Sequence, residues 1–393
     1  MPVKKMAKKN FASRAKKGGQ VKTFALAAFL NDFGSDMIYP VWPIFVTSVL
    51  GAPMSVLGLL DGLGDALVSI SQAVSGYFSD KWRKRKPFIW FGYLCGSASR
   101  VGYGLSTVWW HLLPFRVLDR AGKMRDAPRD AMVADASSKA NRGSNFGFLK
   151  AFDRLGAVFG IIACILVINW LGYRNLFLFA AIPSVIAAAL VYFAIREDKP
   201  ARGKIAKKFE FNVFDGNYKL FLASASLLAL ASFSYSFLLV FANQEGFQIA
   251  LLPVFYLVFV IFQSGASIPA GRLADAFGRK PVLALSAALW AASCLSFLYL
   301  GGLVATFVSF ALFGLHKGSL EPVQKTFVSE LAEKRYRGTA LGVFQMAVGL
   351  CALPASLAAG WLWDAVGSAA MFWLAIALTA ASIALLAFVR EKR

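Results

Sequence analysis

Carboxylates and basic side chains interrupt several long apolar runs of this 393-residue chain. Asp32 and Asp36 stand four residues apart in one run, and Lys317 and Glu321 do so in another. Residues at this spacing share one face of a helix. A carboxylate removed from water binds a proton more readily, and a lysine in the same setting attracts an anion. The chemistry open to these residues is proton exchange and ion binding.

The first apolar run offers one polar helical face. It is formed at i, i+3 and i+4 spacing by Asp32, Ser35, Asp36 and Tyr39, beside a helix-breaking Pro40. We interpret Asp32 or Asp36 as a site of protonation, with structural pairing to basic residues as the alternative. Ser35 and Tyr39 are candidates for contact with a solute.

The most highly charged run covers residues 108–134. At about 100° per residue, one stripe of this helix holds Arg116, Asp119, Arg120, Lys123 and Asp130. Arg125 and Arg129 point roughly the other way. The stripe predicts the lining of an aqueous cavity, in which Asp119, Arg120 and Lys123 contact solute. A self-neutralising ladder that only makes the helix insertable is the alternative.

Two further runs add candidates to this cavity. Lys317, Glu321 and Gln324 share a face with Lys325. Glu321 is a second candidate proton site, and Lys317 is a counter-charge or an anion contact, unless the three charges form a structural ladder. Tyr235, among serines and phenylalanines, suits aromatic contact with a solute, and helix packing through the small serines is the alternative.

The composition indicates the elements that position these residues. The chain is 58% hydrophobic and 16% charged, whereas soluble domains are nearer 45–50% and 25%. This predicts an all-α polytopic membrane protein. The net charge of +21 lies in loops between apolar runs, so membrane topology explains it better than nucleic-acid binding. The four cysteines stand singly, and we expect no metal and no cofactor.

Runs of about 20 apolar residues are long enough to cross a bilayer as helices. Eleven runs are plain, and residues 108–134 make a twelfth because an even number of spans must separate the basic loops near 81–86 and 196–208. The predicted spans are 24–50, 54–79, 87–106, 108–134, 144–170, 174–195, 218–242, 247–274, 281–300, 302–330, 337–363 and 368–389.

The basic loops also predict orientation and domain organisation. Nearly all lysines and arginines outside the spans fall on one side, which places both termini in the cytoplasm and the chain in the plasma (inner) membrane. We expect a disordered basic cytoplasmic tail at 1–20, a six-helix bundle at 21–195, a cytoplasmic linker at 196–216 and a second bundle at 217–393.

Two loops repeat one motif, in which a glycine is followed by an acid, a basic cluster and a proline. Asp275 lies 195 residues after Asp80, which is half the chain. The first copy contains Gly76, Asp80 and Arg85, and the second contains Gly271, Asp275, Gly278, Arg279 and Lys280.

This motif resembles the hallmark loop between helices two and three of the major facilitator superfamily. The resemblance implies two six-helix bundles related by a parallel pseudo-repeat, a monomer, and a substrate site near the membrane midplane lined by helices one, four, seven and ten. Arg116 also matches the arginine of a fourth-helix motif found in proton-coupled members, although Asp119 and Arg120 replace residues of that motif.

The function that these patterns favour is secondary active transport. We expect alternating access that moves a small organic solute, coupled to protons, with export favoured over uptake. An uncoupled uniporter or a lipid or amphiphile carrier of the same fold is the alternative. A membrane enzyme is disfavoured because there are two histidines and no HExxH, GxSxG or Walker pattern.

The expected partners are a small-molecule substrate, protons and membrane lipids. The cavity charges nearly balance, which favours a zwitterion or an amphipathic anion, with a cation bound by Asp32 and Asp36 as the alternative. Asp80 and Asp275 have a predicted gating role, in which each acid holds its loop when the inner gate is closed. Hairpin geometry alone is the alternative there. Asp61 and Asp65, beside Gly58 and Gly62, join the cavity or the gate.

Overall fold

The computed structural model describes residues 2–138, 141–197, 214–333 and 336–391. Within these ranges the chain is helical and contains no strand, as predicted. The predicted linker, 196–216, lies largely outside the described residues. The helices are α1 (Pro2–Ile38), α2 (Trp42–Ile44), α3 (Met54–Trp82), α4 (Lys86–Leu105), α5 (Leu112–Ala121), α6 (Asp126–Ala136), α7 (Arg142–Ala194), α8 (Gly216–Ala231), α9 (Tyr235–Gln244), α10 (Leu252–Phe277), α11 (Arg279–Tyr299), α12 (Leu303–Leu331), α13 (Arg337–Ala365) and α14 (Ser368–Phe388).

Contacts divide the chain into two compact units. The first contains Met1–Tyr39, Ile70–Ser106 and Pro114–Ile205. The second contains Pro40–Ser69, Thr107–Leu113 and Ala206–Arg393. The segment Pro40–Ser69, which lies far from the predicted boundary between sequence halves, therefore packs with the second unit.

Eight of the described helical segments are long and apolar enough to cross a membrane. One of them is α7, whose 53 residues join two predicted spans. The helix turns at Gly172, where a φ of 65° lies in the left-handed region that glycine adopts without strain. The predicted first, third and fourth spans are not among the eight. Helix α1 begins at Pro2, so the segment expected to be a disordered tail is helical.

Three predicted spans are broken in the middle. After α1, a turn, the short α2 and a π-helical turn at Phe45–Val49 replace a continuous helix, because Pro40 and Pro43 remove two backbone donors. A 3-10 turn at Gly122–Arg125 joins α5 to α6. The predicted span 218–242 is divided into α8 and α9. The Ser234 hydroxyl caps α9 by accepting a hydrogen bond from the Ser236 amide at 3.2 Å.

Each unit has its own apolar core. In the first unit, α1, α4, α6 and α7 bury Phe24, Tyr93, Val133, Leu149 and Val191 among other residues. In the second, α8, α10, α11, α12, α13 and α14 bury a set that includes Tyr218, Phe221, Val282, Phe327, Phe344 and Leu386. These cores fix the helices that carry the polar side chains described next.

Candidate functional site

The two acids of α1 differ from the other acids in the first unit. Asp32 and Asp36 lie one turn apart and are both partly exposed. Asp32 Oδ1 accepts a hydrogen bond from Asn31 Nδ2 at 2.9 Å. Among the described residues neither acid forms an ion pair, whereas each remaining aspartate of this unit's described part has a basic partner.

A buried arginine that sequence reasoning missed holds α1 beside these acids. Arg100 is 2% exposed and its Nη1 donates to the Ala180 carbonyl oxygen at 3.0 Å and to the Ser184 hydroxyl. Its Nη2 donates to Ser35 Oγ at 2.6 Å and to the Asn31 carbonyl oxygen at 3.2 Å. Ser35, predicted to contact solute, is therefore buried and hydrogen-bonded. The only sequence signal was a lone arginine inside an apolar run.

The charged stripe is partly assembled. Asp119 Oδ2 lies 3.5 Å from Arg120 Nε, and Asp119 Oδ1 accepts a hydrogen bond from Ser99 Oγ at 3.4 Å. The Arg120 guanidinium lies 5.5 Å from the Tyr39 ring centroid, a cation–π distance. Arg116, four residues before Arg120, is buried and 3% exposed. The structure thus brings together Tyr39, Asp119 and Arg120.

The rest of the predicted stripe is rearranged. Asp130 pairs with Arg129 at 3.1 Å, although a straight helix would point Arg129 away from the stripe. These two residues are neighbours in α6, where long side chains at adjacent positions can reach each other. The 3-10 turn at Gly122–Arg125, with 3.0 residues per turn, rotates α6 as a whole relative to α5 and so separates Asp130 from the stripe on α5. Lys123 lies within this turn and is partly exposed.

Arg129 is the centre of a buried ion cluster. It is 5% exposed, and its guanidinium lies 3.6 Å from Asp126 and 3.9 Å from Asp153, in addition to Asp130. Asp153 also accepts a hydrogen bond from Lys150 Nζ at 3.2 Å. This cluster ties α6 to α7.

In the second unit, the carboxylate of Asp61 is buried and accepts hydrogen bonds from uncharged donors. It is 3% exposed and accepts hydrogen bonds from Trp42 Nε1 at 3.1 Å, from Ser234 Oγ at 2.7 Å and from Ser236 Oγ. The break between α8 and α9 makes two of these contacts possible, because it turns the serine hydroxyls toward α3. Asp61 therefore links the first half of α3 to α9.

The first half of α3 also packs closely on α13. The Asp364 carboxylate accepts hydrogen bonds from the Met54 amide at 3.0 Å and the Ser55 amide at 2.8 Å, which caps the start of α3. At Gly58 the two backbones are so close that a Cβ atom would clash with the Ser356 carbonyl oxygen. A Cβ atom at Gly62 would lie 2.8 Å from the Ala352 carbonyl oxygen.

Helix α12 carries one paired and one unpaired lysine. Lys325 Nζ lies 2.6 Å from Glu321 Oε1, and Gln324 between them is buried at 7% exposure. Lys317 lies over the Phe313 ring, 5.6 Å from its centroid, and forms no ion pair among the residues that the structure describes. His316 faces α11 instead, where its Nδ1 lies 2.8 Å from the Ser286 carbonyl oxygen.

The first repeated loop forms a four-residue charge cluster. Arg85 Nη2 lies 2.9 Å from Asp80 Oδ1, and Nη1 lies 2.5 Å from Asp135 Oδ2. The Glu197 carboxylate accepts hydrogen bonds from the Arg85 amide and, at 3.1 Å, from the Lys86 amide. It thereby caps α4. Burial lowers the pKa of the Arg85 guanidinium, but the hydrogen bonds to Asp80 and Asp135 outweigh this, and the pKa lies above its ordinary value.

The second loop builds the same arrangement. Arg279 Nη1 lies 2.6 Å from Asp275 Oδ1, and Nη2 lies 2.9 Å from Glu330 Oε1. Glu391 accepts hydrogen bonds from the Arg279 amide and, at 3.3 Å, from the Lys280 amide. Glu391 therefore stands in the second cluster where Glu197 stands in the first.

The repeat is thus deeper than the loop motif. The acids that complete the clusters, which sequence reasoning missed, lie 195 residues apart in the case of Asp135 and Glu330 and 194 apart in the case of Glu197 and Glu391. Gly76 and Gly271 both lie inside helices, one turn before the acid of each motif. Gly278 has a φ of 102° and separates α10 from α11.

Apolar helices of membrane-spanning length, with polar side chains at mid-helix and a charge cluster in each half, are the features of a polytopic membrane protein. Among the described residues no group of His, Cys, Asp and Glu is arranged to hold a metal ion. The sequence profile of the Major Facilitator Superfamily matches residues 24–262 and 246–393. The chain belongs to this superfamily, and is therefore a secondary transporter and not an enzyme.

Relatives and solved structures agree with this assignment. The chain is 36% identical to an uncharacterized MFS-type transporter of Methanocaldococcus jannaschii, over 87% of this chain and 88% of the relative. It is 23% identical to a class H tetracycline resistance protein of Pasteurella multocida, over 80% and 82% of the two chains.

Two solved structures show the same fold. The nucleoside transporter NupG matches with a TM-score of 0.77 at 14% identity, over 95% of this chain and 100% of that chain. A D-xylose-proton symporter matches with a TM-score of 0.73 at 16% identity, over 94% and 97%. The predicted fold of two helical bundles is confirmed.

Proposed function

We propose that this protein is a proton-coupled secondary transporter that moves a small organic solute by alternating access, with export as its direction. The similarity to a tetracycline resistance protein supports export. The similarity in fold to a D-xylose-proton symporter is compatible with the proton as the coupling ion.

The observation that carries proton coupling is the state of Asp32 and Asp36. They have no ion pair among the described residues, whereas Asp119, Asp126 and Asp153 each face an arginine. An ion-paired carboxylate is held in its charged form, and an unpaired one in an apolar helix can take up and release a proton. We therefore assign the proton to this acid pair in preference to Arg116 or to Glu321, which is bound to Lys325.

The solute contacts that we propose come from four helical segments. They comprise Tyr39, Asp119, Arg120 and Lys123 of the first unit and Tyr235, Lys317 and Gln324 of the second. We leave Ser35 out of this set, since it is buried and its hydroxyl already accepts a hydrogen bond from Arg100.

The basic loops give the proposed orientation. Lysines and arginines near the spans stay on the cytoplasmic side, so both loop clusters and both termini face the cytoplasm and the protein resides in the plasma (inner) membrane as a monomer surrounded by lipid. In this orientation the Asp80 and Asp275 clusters lie at the inner gate, and the contact of α3 with α13 lies at the outer end of these helices.

The experiment measures proton and solute movement together in proteoliposomes. External pH is recorded while candidate solutes are added to the wild type, to Asp32→Asn, to Asp36→Asn and to the double variant. Asp61→Asn is the matched control, because Asp61 is also an acid in an apolar helix but is held by three neutral donors.

We expect solute-driven proton movement in the wild type, its loss in the double variant, and an unchanged proton-to-solute ratio in Asp61→Asn. Solute flux without proton movement in the wild type would indicate a uniporter or an amphiphile carrier. An unchanged ratio in the double variant would contradict the assignment of the proton to α1.

A further inference from the structure

Lys317 lies in the middle of an apolar helix and forms no ion pair within the described part of the chain. It is partly exposed, and its ammonium lies over the Phe313 ring, 5.6 Å from the centroid. Asp65 and Glu321 act on its ammonium electrostatically, but Glu321 is already bound to Lys325 at 2.6 Å. A lysine at this depth is costly unless a partner or water meets it.

The ring under Lys317 belongs to a continuous group from three helices. We call it the aromatic cluster, and its members are Tyr235, Tyr256, Phe259 and Phe313. The Phe313 and Phe259 centroids are 4.8 Å apart with the planes at 23°. Tyr256 lies 5.6 Å from Phe259 and 4.9 Å from Tyr235.

Burial divides this cluster into a support and a surface. Phe313 is 1% exposed, Tyr256 5% and Phe259 7%, so these rings are fixed by packing. Tyr235 of the cluster and the neighbouring Lys317 are partly exposed, so a ligand can touch both. A rigid, preorganised surface loses little entropy when it binds.

We propose that Lys317 and the aromatic cluster bind an organic anion that carries an aromatic ring. The ammonium takes the anionic group, and the ligand ring packs on the exposed face of the cluster beside Tyr235. A cationic ligand is repelled by Lys317, and a neutral one leaves the ammonium without an anion. The inference rests on the proposed transport function and deepens it by naming the class of substrate.

The test compares an aromatic anion with its neutral amide and with a smaller, saturated anion. They are 1-naphthoate, its neutral amide 1-naphthamide, and cyclohexanecarboxylate, which is an anion without an aromatic ring. Affinities are measured by calorimetry on the purified full chain for the wild type, Lys317→Gln, Lys317→Arg and Tyr235→Leu. Lys219→Gln, an exposed lysine of the same unit, is the control for net charge.

We expect wild type and Lys219→Gln to bind 1-naphthoate about tenfold more tightly than 1-naphthamide, as one charged hydrogen bond provides. Lys317→Gln should bind the two equally, and Lys317→Arg should keep the preference. Tyr235→Leu should reduce the advantage of 1-naphthoate over cyclohexanecarboxylate.

An equal preference in wild type and Lys317→Gln overturns the proposal, as does a wild type that binds no 1-naphthoate or prefers the amide. Counterflow of a wider solute panel in proteoliposomes separates this failure from failure of the proposed function. Transport of another solute would contradict the substrate class alone, whereas absence of any transport would contradict the transport function itself.

Discussion

The two units use different chemistry in their interiors. All five buried arginines among the described residues lie in the first unit, namely Arg100, Arg116, Arg120, Arg125 and Arg129. The buried polar groups of the described part of the second unit are mostly serines, with Asp61, Thr306, His316, Gln324 and Thr379. Its interior is instead filled by aromatic rings around Phe233, Trp290 and Phe313.

We propose that this difference reflects a division of the work of transport between the units. Buried ion pairs in the first unit have alternative partners close by, so a change in the protonation of one carboxylate can rearrange them. Rings and serines in the second unit have no charge to exchange and give a surface of fixed shape. We therefore associate the first unit with coupling and the second with recognition.

The largest expected effect comes from removing a charge in the first unit. Arg129→Gln removes the buried guanidinium shared by Asp126, Asp130 and Asp153 and leaves Asp126 and Asp153 with Arg125 and Lys150 as their only ion-pair partners among the described residues, which should cost up to about 3–5 kcal/mol of stability. Thermal unfolding and yield of folded protein in detergent measure the loss. The control is Arg154→Gln, an exposed arginine of the same unit. If the two variants had equal melting temperatures, the buried ion pairs would not stabilise the first unit.

In the second unit, we expect the largest loss of stability where the backbones of two helices touch. Gly58→Val inserts a side chain where the Ser356 carbonyl oxygen already lies, so α3 and α13 must separate at a cost of about 1–3 kcal/mol. The melting temperature should fall and the initial rate of transport should change. Gly265→Val, at a helical glycine of α10 with open space at its Cβ position, should be close to wild type. If both valine variants behave alike, glycine packing does not hold this unit together.

The loop clusters allow the two halves to be compared directly. Asp80→Asn removes an acid whose side chain is 63% exposed, so its pairing should contribute less than about 1 kcal/mol to stability. We expect it to slow transport more than it lowers expression, because Arg85 must be held and released as the gate moves. An equal loss of transport and expression contradicts this. The same two measurements on Asp275→Asn, which removes an acid whose side chain is 72% exposed, test whether the second loop has the same role.

The sequence predicts those features that depend on local spacing. The helices, the polar face of α1 and the loop repeat follow from periodicity and from positions 195 residues apart. It does not predict the partners that tertiary packing supplies. Glu197 and Glu391 lie at helix ends more than 100 residues from the loops they cap, and nothing in their local sequence marks them.

Helix breaks account for the remaining differences. The stripe on residues 108–134 was derived for a straight helix, and the 3-10 turn at Gly122–Arg125 changes the register of everything after it. In the same way, the separation of α8 from α9 aims Ser234 and Ser236 at Asp61. The periodicity of residue types along the sequence cannot locate such breaks, because the residues that stabilise them by tertiary contact lie elsewhere in the chain.

The smallest expected effect is the change in stability when the charge of Lys317 is removed from the second unit. Lys317→Gln abolishes a cation–π contact of about 0.5–2 kcal/mol and also relieves the cost of an unpaired ammonium in an apolar helix, about 2.5–3.5 kcal/mol at full depth. Because Lys317 is partly exposed, the second value is reduced, and the two nearly cancel. We expect a melting temperature that is unchanged or slightly higher, in contrast to Arg129→Gln. A fall as large as that of Arg129→Gln would mean that Lys317 is a structural cation, and the two units would then no longer differ in how they treat charge.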